Sequence, residues 1–314
     1  MQSINPLSPT SLDAWLKEKL NLASLQPQAL ATYQLRALQH TFHYVKEHSP
    51  FYRKLYNNYQ LETWQDFAAL PFLGENDLRQ FGTQMLCVGQ EDIHRIVSLD
   101  TSGTTDTPKR LYFTQADQQL TVDFFHHGMM SIVQPRQKVL ILLPGPRPGS
   151  VGDLLAQGLT RFDAKPLLYD ARGFAAPLLR FMIENQVEAM VASPVQALTL
   201  SRLATPAQRA AIPLKSILLS VDYAADSLLA ALRQLWHADI FQHYGMTEMG
   251  LGGGVDCAAH CGYHLREADL YFEIINPING QPIQDETEGE IVFSTLTRQA
   301  MPLLRYRTGD TGHW

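Results

Sequence analysis

The sequence predicts an α/β fold in which parallel and mixed sheets are flanked by helices, with a smaller β-rich subdomain. Three observations predict this fold class. Between residues 95 and 242, short apolar runs alternate with helix-like stretches, which is typical of parallel strands joined by helices. Beyond residue 243 the helical pattern fades, and turn-rich segments separate the apolar runs. The chain has 314 residues, 45% of them hydrophobic, which is enough to bury a large core.

The N-terminal part of the chain predicts helices. Apolar residues recur at helical spacing between residues 11 and 60. This stretch is broken at Ser49, because the residue before a proline is disfavoured in the α conformation. Two shorter helices are predicted at residues 66–71 and 75–81.

The central part predicts the alternation of strands and helices. Strands are predicted at residues 95–99, 110–113, 138–143, 189–192, 216–219 and 239–242, and helices at residues 116–130, 151–162, 175–185 and 224–236. Two further strands are predicted at residues 270–275 and 290–293, in a region that we expect to be more antiparallel.

Charge and cysteine content exclude several classes of protein. Acidic residues outnumber basic ones, 31 to 25, and no segment combines clustered Lys and Arg with aromatic residues, so we expect no nucleic-acid partner. The three cysteines, Cys87, Cys257 and Cys261, are too few for a disulfide framework and favour a cytoplasmic location. The N-terminus lacks the pattern of a signal peptide, and the longest apolar runs are too short to span a bilayer. We therefore expect no membrane association.

A loop rich in hydroxyl groups carries the first chemical signal. Residues 101–109 read TSGTTDTPK and lie between two predicted strands. Backbone N–H groups and hydroxyls in such a loop can bind phosphate, and Lys109 adds a positive charge. The segment is not a Walker A motif, which requires a second glycine before the lysine and a following helix. A polar hairpin turn explains the same composition equally well.

Two later segments end in carboxylates. Residues 243–248 read HYGMTE, and Glu248 is suited to a hard cation such as Mg²⁺. A Thr-Glu pair in a turn is, however, also ordinary polar surface. Residues 306–310 read YRTGD, and the Asp310 carboxylate, which only accepts hydrogen bonds, suits the hydroxyls of a sugar.

These three segments, in this order, resemble the T-S-G-T-T-G-x-P-K, Y-G-x-T-E and Y-R-T-G-D motifs of the adenylate-forming enzymes, the acyl- and aryl-CoA ligase superfamily. Residues 44–52 (YVKEHSPFY) and 70–79 (LPFLGENDLR) resemble the start of phenylacetate-CoA ligase-like proteins. The resemblance implies the large N-terminal adenylation domain of the acyl-CoA synthetase type. It also implies three parts: a helical lead-in at residues 1–90, an α/β nucleotide-binding core at 91–240, and a β-rich subdomain at 241–314 that completes the active site.

The resemblance also implies roles for individual residues. Lys109 would position the phosphates of ATP, Thr247 would contact the α-phosphate, and Glu248 would hold Mg²⁺. Asp310 would accept hydrogen bonds from the ribose hydroxyls. The residues implied to bind the nucleotide are Thr101, Ser102, Gly103, Thr104, Thr105, Asp222, Tyr223, His243, Tyr244, Gly245 and Asp310, of which Asp222 and Tyr223 match the family's adenine-contacting loop only loosely.

The implied function is that of an AMP-forming ligase. It would activate a carboxylic acid, with an aryl acid favoured, to an acyl-adenylate and normally pass the acyl group to coenzyme A. Asp106 replaces the family's second loop glycine, and its charge would repel phosphate. Two alternatives therefore stay open: a weakly active or inactive nucleotide-binding scaffold, and an adenylating enzyme with a different acceptor. Because the family's C-terminal domain follows the Y-R-T-G-D motif, we expect this chain to lack that domain, to adenylate slowly and to form no thioester. Its oligomeric state is open, with a homodimer as one option.

A cluster of cysteines and histidines indicates a metal site. Cys257, His260, Cys261 and His264 lie within eight residues, and their thiolates and imidazoles suit zinc. Some phenylacetate-CoA ligase-like proteins carry a Cys/His-rich insertion here, so the resemblance implies a structural zinc ion. The alternative is a chance cluster in a loop, with His264 facing the substrate instead.

Overall fold

The computed structural model describes residues 10–99, 108–170 and 175–314. The chain divides into two compact units. The first unit consists of the start of the chain as far as Trp15, Leu120–Met246 and Gly250–Arg266, and the second consists of Leu16–Gln119, Thr247–Met249 and Glu267–Trp314.

The helices within the described residues follow the chain in this order: α1 (Ser11–Lys19), α2 (Pro27–His48), α3 (Pro50–Leu55), α4 (Trp64–Ala68), α5 (Glu75–Phe81), α6 (Gln115–Met129), α7 (Val151–Thr160), α8 (Ala175–Asn185), α9 (Pro194–Leu203), α10 (Pro206–Ala211) and α11 (Asp226–Trp236). Short 3₁₀ helices lie at Gly82–Met85, Gln90–Asp92 and Thr247–Met249. The strands are β1 (Arg95–Leu99), β2 (Lys109–Phe113), β3 (Lys138–Ile141), β4 (Lys165–Leu168), β5 (Ala189–Ala192), β6 (Ser216–Leu219), β7 (Asp239–Tyr244), β8 (Gly254–Val255), β9 (His264–Leu265), β10 (Leu270–Ile275), β11 (Gly289–Thr295) and β12 (Tyr306–Gly312).

The first unit is built on a seven-stranded sheet with the strand order β4-β3-β5-β6-β7-β8-β9. The five strands from β4 to β7 are parallel, and β8 and β9 continue the sheet in antiparallel pairing. The central strands β5 and β6 are buried along their whole length, as expected for parallel strands covered on both faces. Leu140, Met190 and Ile217 are at most 1% exposed and belong to the core of this unit.

The second unit contains helices α2–α5 and two small antiparallel sheets, β1-β2 and β10-β11-β12. Its core encloses Arg305, whose guanidinium donates hydrogen bonds to Glu273 and to the carbonyl oxygens of Ala68 and Leu70. The guanidinium also lies 4.0 Å from the ring centroid of Phe72. Because these acceptors satisfy the buried charge, an arginine that is only 2% exposed is tolerated in this core.

The predicted α/β fold with parallel, mixed and antiparallel sheets is confirmed. Six of these helices and strands were not predicted from the sequence, namely strands β4, β8, β9 and β12 and helices α9 and α10. Among the described residues, no helix combines the length and the apolar character needed to cross a membrane. The division at residues 90 and 240 stays a prediction.

Candidate functional site

A buried ion pair in the second unit joins two of the motifs. The Lys109 Nζ lies 2.5 Å from Glu248 Oε1, and the two side chains are only 12% and 2% exposed. Lys109 opens strand β2, and Glu248 lies within the short 3₁₀ helix Thr247–Met249. Residues that are far apart in the sequence are thus brought into direct contact with little access to water.

Two further side chains surround this ion pair. The Tyr306 hydroxyl donates a long hydrogen bond, 3.4 Å, to Glu248 Oε1. Burial, and then the charge of Glu248, raise the pKa of Tyr306, so its hydroxyl is a neutral donor at physiological pH. Glu75 Oε1 lies 3.4 Å from Lys109 Nζ and 2.6 Å from Arg79. The hydrogen bond from Arg79, followed by the charge of Lys109, lowers the pKa of Glu75 and keeps its carboxylate ionised. Lys109 is therefore shared between two carboxylates, whereas Glu248 is paired with one cation among the described residues.

The other predicted residues of the second unit are placed as follows. Thr247 is half-buried and precedes Glu248 in the 3₁₀ helix. Asp310 is exposed on strand β12, and its backbone N–H donates to the Thr308 hydroxyl at 3.0 Å. The predicted phosphate loop, with Thr101, Ser102, Gly103, Thr104 and Thr105, lies outside the described residues, and so does Asp106.

In the first unit, the loop after strand β6 presents exposed side chains at the carboxyl ends of the parallel strands. Val221 has a backbone φ of 83°, which is strained for a β-branched residue, and it is 71% exposed. Tyr223 is 82% exposed, and its backbone N–H donates to the Asp222 carboxylate at 2.8 Å. Strained backbone at the carboxyl edge of a parallel sheet is a common feature of ligand-binding loops.

The turn after strand β7 has room only for glycine at position 245. A Cβ atom at Gly245 would lie 2.9 Å from both the Gly252 Cα and the Leu251 carbonyl oxygen. Tyr244 ends the strand, and its ring centroid lies 6.3 Å from that of Tyr263. The close backbone packing explains why glycine follows Tyr244, a residue that the motif implies for nucleotide binding.

His243 lines an apolar cavity within the first unit. The cavity is bordered by side chains of α6 and α7 and by the sheet, and its walls include Phe124, Phe125, Met129, Leu155, Ser220 and His243. None of the described residues that line it carries a formal charge when His243 is neutral. The Phe and Met residues of this wall were not predicted from the sequence, although residues 116–130 were predicted to form a helix.

The four predicted zinc ligands are not gathered into one site. His260 Nδ1 lies 2.8 Å from Asp256, and His264 Nδ1 lies 3.2 Å from Asp13. Cys257 is buried and Cys261 is exposed. No group of three or more Cys, His, Asp or Glu residues within the described ranges is arranged to hold a metal ion. The side chains in this arrangement therefore do not fit a four-coordinate zinc ion.

Comparisons with known proteins extend over most of the chain. No family model matches the sequence. The chain is 25% identical over 311 residues to a phenylacetate-coenzyme A ligase from Pseudomonas putida, covering 95% of this chain and 69% of the relative. It is 28% identical over 319 residues to a phenylacetate-coenzyme A ligase from Thermus thermophilus, covering 92% of this chain and 66% of the relative. The chain thus spans about two thirds of the length of these relatives.

Solved structures show the same fold. A 2-hydroxyisobutyryl-CoA ligase in complex with 2-HIB-AMP and CoA, in the thioesterification state, superposes with a TM-score of 0.84 at 22% identity. That match covers 99% of this chain and 68% of the ligase. An open conformation of the same ligase gives a TM-score of 0.79 over 89% of this chain and 69% of the other. The predicted resemblance is confirmed: the chain is a homologue of phenylacetate-coenzyme A ligases and has the adenylation-domain fold of AMP-forming CoA ligases.

Proposed function

We propose that this chain activates a carboxylic acid with ATP, forming an acyl-adenylate and pyrophosphate as the first half of a CoA-ligase reaction. The observation that carries the proposal is the buried contact between Lys109 and Glu248, which come from two separate motifs of adenylate-forming enzymes. When ATP binds, the Lys109 ammonium can donate to a phosphate oxygen in place of Glu248, and the Glu248 carboxylate can then bind Mg²⁺. The homology to phenylacetate-coenzyme A ligases over most of the chain supports the same conclusion.

In this proposal the chain promotes the reaction by positioning ATP and the acid and by stabilising the negative charge that develops on the phosphates. A carboxylate oxygen of the acid attacks the α-phosphorus of ATP, and the bond to the pyrophosphate oxygen breaks as the new P–O bond forms. Lys109 donates to the phosphate oxygens, Thr247 contacts the α-phosphate, and Asp310 accepts from the ribose hydroxyls. The exposed Tyr223 ring and its neighbour Asp222 offer a surface for adenine, and Tyr244 and Gly245 of the second motif are assigned to the same nucleotide. These groups act by orienting the reactants and by stabilising developing charge.

Mg²⁺ in phosphoryl-transfer sites is usually held by one or two carboxylates together with the phosphates of the substrate. Glu248 fits this role, since its carboxylate lies 2.5 Å from the proposed phosphate-binding lysine, Lys109. His260 and His264 are each paired with a separate aspartate, so their side chains do not offer a zinc ion a common site.

The acid is assigned to the apolar cavity of the first unit. Its aromatic and aliphatic walls suit an apolar acyl or aryl group, and an ionised carboxylate is too costly to bury among them. The cavity has a volume of about 30 Å³, which is room for about two water molecules, so its walls must move apart before the apolar body of the acid enters, while the carboxylate stays at the mouth. An aryl acid is favoured, in keeping with the phenylacetate-coenzyme A ligases among the relatives.

Exchange of labelled pyrophosphate into ATP, measured acid by acid, tests the proposal. We expect exchange with at least one aryl acid, and its loss in Lys109→Ala and Glu248→Gln. Lys215→Ala is the matched control, because Lys215 also pairs with a glutamate, at 2.7 Å, but is 61% exposed. Absence of exchange with every acid, or equal loss in the control variant, would rule out the proposed activity.

The acceptor is tested in a second assay. Thioester formation with coenzyme A is followed under conditions in which pyrophosphate exchange is active. Exchange without thioester formation would favour an adenylating enzyme with another acceptor. ATP binding without exchange would favour the nucleotide-binding scaffold.

We place the protein in the cytoplasm, which is consistent with Cys87, Cys257 and Cys261 all being free thiols.

A further inference from the structure

The Glu75 carboxylate is held beside Lys109 by a second cation. Glu75 is the first residue of helix α5, and its Oε1 atom accepts a hydrogen bond from Arg79, one turn later in the helix, at 2.6 Å. The same oxygen lies 3.4 Å from the Lys109 Nζ. The side chains of Arg79 and Lys109 are only 14% and 12% exposed, whereas that of Glu75 is 47% exposed. Neither the sequence motifs nor the proposed reaction gives Glu75 a role.

The backbone just before helix α5 is fixed by strand β12. The Leu73 N–H donates to the Arg305 carbonyl oxygen at 3.0 Å, and the Leu73 carbonyl oxygen accepts from the Arg307 N–H at 2.9 Å. These hydrogen bonds form a β-bridge between Leu73 and Tyr306, the residue whose hydroxyl contacts Glu248. The carboxylate at the start of α5 is therefore presented to the ion pair from a rigid support, as a residue that orients another side chain requires.

Binding of ATP changes what holds Lys109. In the proposed reaction Glu248 turns to Mg²⁺, so the Lys109 ammonium loses its shorter contact, that of 2.5 Å. A lysine side chain carries about 2 kcal/mol of rotamer entropy, which opposes holding its ammonium against a phosphate. Glu75 can offset this cost, because an ammonium has three donors and can donate to Glu75 and to a phosphate oxygen at the same time.

The charge of Glu75 by itself acts in the opposite direction. A carboxylate this close to a phosphate-binding lysine also repels phosphate. The Arg79 guanidinium at 2.6 Å and the solvent around the half-exposed carboxylate reduce this repulsion. The two effects therefore predict opposite signs. If repulsion dominates, removing the charge of Glu75 tightens ATP binding, and if the hold on Lys109 dominates, removing it weakens ATP binding.

We propose that Glu75 is a positioning residue, which holds the Lys109 ammonium at the phosphates of ATP while Glu248 binds Mg²⁺. That the ligand is ATP rests on the proposed function, whereas the carboxylate shared by Arg79 and Lys109 is a feature of this structure. Glu75 acts through Lys109 and through the phosphates. Its effect should therefore vanish when Lys109 is removed, and also with a ligand that has no phosphate.

Calorimetric titration with ATP and Mg²⁺ tests the proposal as a double-mutant cycle. Glu75→Gln should weaken binding about three- to tenfold, the range expected for the loss of one net hydrogen bond. In the Lys109→Ala background, Glu75→Gln should leave the affinity unchanged or raise it, because only the repulsion is then removed. Glu188→Gln is the matched control and should not change the affinity: Glu188 also accepts from a lysine, Lys215, at 2.7 Å, and its replacement changes the net charge equally.

Two further arms keep the test decisive if Lys109→Ala does not fold. Glu75→Asp keeps the negative charge but withdraws the carboxylate by one methylene group, so it too should weaken ATP binding. Adenosine, which has no phosphate, should bind equally to the unaltered protein and to both Glu75 variants. In pyrophosphate exchange, Glu75→Gln should raise the KM for ATP and leave the KM for the acid unchanged.

The outcomes separate this inference from the proposed function. The inference is overturned if Glu75→Gln tightens ATP binding or leaves it unchanged, or if adenosine binding weakens as much as ATP binding. Coupling between Glu75 and Lys109 in ATP binding, without pyrophosphate exchange, would leave this inference standing and reject the proposed function. Exchange with an unchanged KM for ATP in Glu75→Gln would do the reverse. Absence of ATP binding to the unaltered protein would reject both.

Discussion

Replacing Lys109 by methionine should destabilise the second unit by several kcal/mol. The substitution keeps most of the apolar stem but leaves the Glu248 carboxylate, whose side chain is 2% exposed, without its cation. Among the residues that the structure describes, the remaining side-chain donor is the Tyr306 hydroxyl at 3.4 Å, which is too long for a strong hydrogen bond. Breaking a buried ion pair by removing one partner typically costs about 3–5 kcal/mol, because the other charge stays buried and uncompensated.

The geometry also predicts that the two partners are not equivalent. In Glu248→Gln the Lys109 ammonium keeps a second carboxylate, that of Glu75 at 3.4 Å. Within the described residues Glu248 has no second cation at ion-pair distance. Glu248→Gln should therefore cost less than Lys109→Met. The double variant should recover most of the loss, because neither charge is then buried alone.

Urea unfolding combined with peptide-resolved hydrogen exchange measures these effects. The increase in exchange should be largest in strand β2, which begins at Lys109, while strand β5 in the first unit serves as the internal reference. The control variant Lys215→Met removes an ion pair of similar length, 2.7 Å, from a lysine that is 61% exposed, and should cost less than about 1 kcal/mol. A loss in Lys109→Met no larger than in this control, or equal losses in the two single variants, would refute the reasoning.

Three further predictions follow from the same structure. As the pH falls from 6.5 to about 4, the free energy of unfolding should fall by up to about 1.4 kcal/mol per pH unit more than it otherwise would, because the unfolded chain protonates His243 while burial keeps the folded chain's imidazole neutral. The variant His243→Leu, unfolded at pH 7, 6 and 5, should lack this extra fall. The same pH dependence in both proteins would contradict the prediction. Arg305→Met should cost about 3–5 kcal/mol in urea unfolding, since it leaves the Glu273 carboxylate buried, and a near-neutral effect would show that the pair contributes little. Asp106→Gly should tighten ATP binding about fivefold by calorimetry, corresponding to roughly 1 kcal/mol of charge repulsion in a screened site, and an unchanged affinity would argue against a phosphate-binding role for that loop.

The parallel sheet was predictable because its strands are short, continuous apolar runs. Strand β4 was missed because Pro166 interrupts the run and its residues are only partly buried, as is usual for an edge strand. Helix α9 was missed although its start has a sequence signal: Ser193 precedes Pro194, and the Ser193 side chain accepts from the backbone N–H of Gln196 in a capping box. Strand β12 was missed because its Thr, Gly and Asp residues are typical of a loop, although they pair with β11.

The candidate site was predictable as a set of motifs but not as a set of contacts. The residues that the motifs indicated for ATP, Lys109 and Glu248, bind each other in this structure. No local pattern encodes that pairing, since it depends on how β2 and the 3₁₀ helix at Thr247–Met249 pack in the second unit. The Glu75 carboxylate was likewise not predictable, because its contact with Lys109 comes from the start of helix α5.

The pair His243-Tyr244 illustrates why one motif can serve two ligands. Successive side chains of a strand point to opposite faces of the sheet, so the two residues cannot line the same surface. His243 lies in the cavity beside Phe124, whereas the Tyr244 ring lies near that of Tyr263. A sequence pattern identifies both residues as part of a motif but does not predict to which face of the sheet each side chain points. If the nucleotide is bound on the side of Tyr244, the strand itself separates it from the acid body beside His243, and substitutions at the two positions should change the affinity for ATP and for the acid independently.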